Sequence, residues 1–127
     1  MKTSALSVGI LLAISASASM AKDEHADRVT KGKQVYDYNC LACHGTGPGF
    51  PPWPELAGTG ALRIKYQGTN TPVLLTERTD LTPELIEVFV RNGISIMPPF
   101  RKTEIDDADL SALGAYLSRN NPNVKSK

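Results

Sequence analysis

Cys40-Leu41-Ala42-Cys43-His44 carries the densest chemistry in this chain. Its C-x-x-C-H pattern is the attachment motif of a c-type haem. Two thiols one helical turn apart can each add to a vinyl group on one edge of a porphyrin. The imidazole that follows then lies under the iron, where it becomes an axial ligand. Both cysteines of the chain and one of its two histidines are spent on these five positions.

Three other uses of the cysteine pair explain less. A redox-active disulfide of the thioredoxin kind sits beside a βαβ pattern, and no parallel-strand alternation surrounds Cys40. A zinc ion would draw on Cys40, Cys43, His44 and His25, but adjacent Cys43 and His44 fit one tetrahedron poorly. A structural disulfide stapling a small secreted domain leaves His44 without a role. Haem attachment accounts for every residue, so the expected cofactor is one covalent haem c.

A second axial ligand is sought among the remaining soft and imidazole donors. Lys2, the apolar run from Ala5 to Ile14 and the small residues up to Ala21 read as a secretory signal, so residues 1–21 are expected to be cleaved. Residues 22–127 then form one cytochrome domain. Met1 and Met20 leave with the signal, which makes Met97 the one remaining methionine and His25 the one alternative. His25 sits in a polar terminus. Met97 sits in Ile94-Ser95-Ile96-Met97-Pro98-Pro99-Phe100, where two prolines hold the chain extended. Elimination therefore favours His44 and Met97 as the iron's axial ligands. Such a pair raises the reduction potential and closes the coordination sphere, leaving an iron that moves electrons.

The export signal places the protein in the periplasm, the oxidising side on which such haems are attached. Its apolar core is far shorter than the roughly 20 residues of a membrane-spanning helix, and no later segment comes closer. The whole chain carries 14 basic against 13 acidic residues, and loss of Lys2 makes the two equal. A neutral surface without a basic run excludes nucleic acid and anionic membrane as expected partners. The remaining length suits one small domain, in which a buried porphyrin supplies much of the core.

Helical patterns position these groups. Asp27 to Asn39 carries Val29, Gly32, Val35 and Tyr36 at helical spacing and runs into the haem motif. Thr82 is an N-cap, Pro83 a first helical residue, and Leu85, Ile86, Phe89 and Val90 the inward face of a helix ended by Gly93. Asp106 caps a last helix, with Leu110, Leu113, Tyr116 and Leu117 in one stripe and an end near Arg119. Gly32 inside a helix costs about 1 kcal/mol relative to alanine. That cost suggests a close crossing, with Gly32 and Tyr36 against Leu113 and Tyr116. Gly45 to Pro54 reads as an irregular loop covering the porphyrin.

This order of elements resembles the class I cytochromes c over Asp27 to about Arg119. The resemblance implies an all-α fold wrapped around one covalent haem, with N- and C-terminal helices crossing and His44 and Met97 on the iron. It also implies loops for the haem propionates between the two ligands, where Trp53, Arg63, Tyr66 and Arg78 are candidates. A finer resemblance lies in Tyr66-Gln67-Gly68, in Pro72 through Pro83, and in Val90-Arg91-Asn92-Gly93 through Glu104. These stretches look like the cytochrome subunits of 4-alkylphenol flavocytochrome hydroxylases, of the p-cresol methylhydroxylase and eugenol hydroxylase types.

That likeness implies a separate FAD-containing hydroxylase or dehydrogenase subunit as electron donor, because no G-x-G-x-x-G fingerprint is available here to bind FAD. The chain itself would be no enzyme. It would pass electrons to a downstream copper protein, cytochrome or oxidase. The alternative is a freestanding carrier to a terminal oxidase, and a third reading is an open-iron haem enzyme or gas sensor. Ile96, Pro98, Pro99, Phe100 and Ala42 are candidates for the patch that meets a partner.

Overall fold

The computed structural model describes residues 9–49 and 54–124, with side chains from residue 23 onward. Trp53, with Pro51 and Pro52 before it, lies outside the described residues, as does the start of the expected signal. The architecture is all-α, as expected. Helix α1 runs over Gly9–Asn39, α2 over Leu41–His44, α3 over Ala57–Lys65, α4 over Pro83–Asn92 and α5 over Asp107–Ser118, with a 3₁₀ turn at Leu75–Glu77.

Helix α1 is longer than Asp27 to Asn39 suggests, and His25 lies within it, half-buried rather than in an irregular terminus. Ala18, Ala21, Lys22, Glu24 and Ala26 are strong helix formers with no glycine or proline among them, so nothing interrupts the helix there.

α1 packs most extensively against α5, and α5 against α4. Gly32 is the point of closest approach. A Cβ there would strike the Ala112 carbonyl oxygen and come within 2.5 Å of its carbon and 2.7 Å of Tyr116 Cβ. One turn on, the rings of Tyr36 and Tyr116 meet at 5.7 Å between centroids, tilted by 51°, a geometry that aromatic pairs favour. Val35, Tyr36, Cys40, Leu81, Ile86, Val90, Ile105, Leu110, Leu113, Tyr116 and Leu117 form one core cluster. Ile105 and Leu113 are wholly enclosed, and burying a side chain of that size stabilises by roughly 1.5–3 kcal/mol.

The two capped helices begin where their side chains predict. Thr82 accepts from Leu85 N at 3.2 Å and Asp106 from Asp109 N at 2.7 Å. Thr82→Ala is expected to cost about 1 kcal/mol through loss of its cap, read as a lowered denaturant midpoint. No change would mean that Pro83 alone sets the start. The inward face of α4 is narrower than expected. Ile86 and Val90 are buried and Phe89 half-buried, but Leu85 is 37% exposed, because α5 covers only the i, i+4 stripe.

Candidate functional site

Cys40 closes α1 and opens α2, so the motif is wound as one continuous helical turn. Cys43 N and His44 N both donate to Cys40 O, at 3.0 and 2.8 Å, and Gly45 N donates to Leu41 O at 2.9 Å. The far end of the turn is tied down by side chains. Tyr36 Oη donates to His44 O at 2.9 Å, and Thr59 Oγ1 donates to Gly45 O at 2.8 Å. Burial pushes the Tyr36 hydroxyl up to about 12, with Cys40 adding to the shift. Its proton therefore stays available to His44 O.

The cysteines are both free and differ in surroundings, Cys40 buried and Cys43 exposed. Burial pushes the Cys40 thiol up to about 11, with Cys43 adding to it. A redox-active C-x-x-C pair instead depresses the pKa of its attacking thiol. The zinc arrangement fails on distance, since His25 stands on α1 about 21 Å along the axis from Asn39 at 1.5 Å rise per residue. The same separation sets His25 far along α1 from the motif that His44 ends.

His44 is held by an element that sequence patterns do not signal. Helix α3 brings Gly58 against the imidazole, where a Cβ would come within 2.7 Å of His44 Cε1, 2.8 Å of Nδ1 and 2.8 Å of Cys43 O. Only glycine leaves room for the ring. Ala57-Gly58-Thr59-Gly60 reads equally well as a loop, and the sole trace of the helix is Arg63 and Lys65 at its C-terminal end. Burial lowers the His44 pKa, so the ring stays neutral with a lone pair to offer. Its Nδ1 is buried with no hydrogen-bond partner.

Met97 is positioned by a separate scaffold. Gly93 caps α4 at φ 67°, and the chain reverses through Ser95 at φ 54°. Ile94 N donates to Met97 O at 3.0 Å and Met97 N to Ile94 O at 2.9 Å. A non-glycine residue in that left-handed region costs about 1–2 kcal/mol, offset by the paired bonds. The segment from Met97 to Pro99 lies directly on Gly93, whose missing Cβ would come within 2.5 Å of Met97 O, 2.9 Å of Pro99 N and 3.0 Å of Pro98 C. Gly93→Ala is therefore expected to displace the Met97 loop and cost about 1–3 kcal/mol. A wild-type melting temperature together with a wild-type haem spectrum would sink that expectation.

Cavities of about 290 and 190 Å³ flank the motif and share Gly45, Thr46 and Leu74, the smaller also touching His44. Met97 lines neither. Ile94 and Ile96 stand 55% and 72% exposed, while Phe100 packs on the core cluster. Of the propionate candidates, the described ones, Arg63, Tyr66 and Arg78, are engaged within the protein. Arg63 Nε reaches Glu55 at 2.8 and 2.7 Å. Arg78 pairs with Asp80 and lies over the Tyr66 ring at 4.6 Å.

A neutral imidazole in a cradle that a methyl group would fill, beside paired free thiols, fits a covalently attached haem. The chain matches the family described as "Cytochrome C oxidase, cbb3-type, subunit III" over residues 27–117. It is 31% identical over 99 residues to the cbb3-type cytochrome c oxidase subunit CcoP of Azospirillum sp. (strain B510), a stretch covering 76% of this chain and 30% of that relative. The chain thus corresponds to about a third of the relative's length. No solved structure matches. The chain belongs to the cbb3-type oxidase subunit III family, as a c-type cytochrome domain with covalently bound haem c.

Proposed function

We propose that this chain carries single electrons to a terminal oxidase on the periplasmic side of the membrane, after removal of residues 1–21 as a signal. The observation that carries the reading is the family match across residues 27–117, which spans both the haem motif and the Met97 loop. Among the described residues no helix is long and apolar enough to cross a membrane.

In this reading Cys40 and Cys43 form the two thioether bonds, and His44 and Met97 hold the iron. The bound haem supplies a one-electron couple. Tyr36 and Thr59 hold the carbonyls of His44 and Gly45, so the imidazole keeps one orientation through oxidation and reduction. Gly58 gives the ring its space, and burial keeps it neutral. The loop from Ile94 to Met97 is closed by its own backbone bonds and needs little rearrangement as the charge changes. Cys43, exposed where Cys40 is buried, would carry the thioether nearer the surface.

The flavoprotein partner is the second reading, and it rests on the resemblance of Tyr66 to Gly68, Pro72 to Pro83 and Val90 to Glu104 to 4-alkylphenol hydroxylase cytochromes. One experiment separates the two. The reduced holoprotein is mixed with a purified cbb3-type oxidase, and its reoxidation is followed against oxygen alone. In parallel, the tagged protein is recovered from its native periplasm and scanned for flavin absorbance. Oxidase-dependent reoxidation without flavin supports the carrier. Co-purifying flavin with no acceleration by oxidase would replace it with the flavocytochrome.

A further inference from the structure

We propose that Arg91 is a positioning residue for the sixth iron ligand, acting as a clamp on the exit of the Met97 loop. The inference rests on the assignment of Met97 as that ligand. Arg91 stands in the last turn of α4 with its side chain only 17% exposed. Its Nη1 donates to two carbonyls on either side of the turn after the Met97 loop, Phe100 O at 3.2 Å and Ile105 O at 2.8 Å. Its Nη2 reaches Asp107 Oδ1 at 3.0 Å, and its Nε is buried with no partner. An orientation that leaves a buried donor unused is one dictated by the other contacts. Here those are the carbonyl at the end of the Met97 loop and the carbonyl that leads into α5.

The clamp is doubled at the same residue. Phe100 N donates to Val90 O at 2.8 Å, so the peptide groups of Phe100 are gripped on both sides by neighbouring residues of α4. Between Phe100 and Met97 stand only Pro98 and Pro99, each with its φ locked by its ring. The segment behaves as a short stiff rod, and a shift at Phe100 moves Met97 with little loss. Lysine cannot replace the clamp. It has a single ammonium in place of a planar fork, and cannot hold the two carbonyls in fixed relation.

The test uses the haem-loaded protein and three variants. Arg91→Lys is expected to weaken the charge-transfer band of ferric iron bound to sulfur, lower the reduction potential, and raise the affinity of the ferric protein for added imidazole about tenfold. Asp107→Asn removes the ion pair and leaves both carbonyl contacts, so it is expected to keep the wild-type band and imidazole affinity. Pro99→Gly leaves Arg91 untouched but softens the rod, and is expected to raise imidazole affinity as Arg91→Lys does. It carries the test should Arg91→Lys fail to accumulate. A role in stability alone would lower the melting point of Arg91→Lys while leaving band and affinity unchanged, and would overturn the clamp. So would wild-type affinity in Pro99→Gly. Absence of the sulfur-iron band in the wild-type protein would remove the ligand assignment itself, and the clamp with it.

Discussion

Replacing Met97 by alanine is expected to leave a coloured protein with its haem still covalently held, but with a lower reduction potential and an iron open to added ligands. The attachment turn is built from α1, α2 and α3, and Met97 contributes to none of them. Loading should therefore survive. Loss of the thioether removes the group that favours the ferrous state. Each tenfold change in the sixth ligand's preference between the two iron states moves the potential by about 59 mV. A fall larger than that is expected in a redox titration, together with rapid carbon monoxide uptake by the ferrous variant. The wild-type protein should take up carbon monoxide slowly. If wild type and variant bind it equally fast, the iron is open at rest and the reading as a sensor or haem enzyme gains the advantage.

Substitution at the helix crossing should be more damaging to the fold than any other single change. Gly32→Ala places a methyl group against the Ala112 carbonyl and Tyr116 Cβ, and two of these three contacts are backbone atoms that cannot swing aside. The helices must separate, which opens the Tyr36–Tyr116 contact and loosens the core around Leu113. Overpacking of this kind typically costs 1–3 kcal/mol and occasionally more. About 3 kcal/mol or above is expected here, with Gly32→Leu worse. Denaturant unfolding of the haem-loaded protein measures it. A loss below about 0.5 kcal/mol would mean that α1 and α5 cross elsewhere.

What could be read in advance was what local chemistry specifies. Helix α4 starts at a threonine cap with proline behind it and stops at a glycine with positive φ, and α5 starts at an aspartate cap. Each of those signals acts within a few residues, so pattern suffices. The crossing was legible for a related reason, since a glycine in mid-helix is a cost that only a close neighbour justifies. Helix α3 was not legible. Gly58 and Gly60 argue against a helix locally, and Leu56 provides no side-chain cap. Its formation depends on what it touches, the His44 ring at Gly58 and the Gly45 carbonyl at Thr59. Arg91 was hidden in the same way, because its acceptors are backbone carbonyls, which carry no mark in the sequence.

The crossing at Gly32 joins the first helix of the domain to the last. Contacts between residues so distant in sequence form late, because the intervening loop must close before they give any return. A chain that emerges from its amino end presents the attachment turn long before α5 arrives. In the folded protein Cys40 is only 9% exposed and belongs to the same core cluster as Leu110, Leu113, Tyr116 and Leu117 of α5. The thiol is therefore most accessible before that core closes. Attachment is thus expected to come before the core closes, so the order of the two events follows from the topology of the chain.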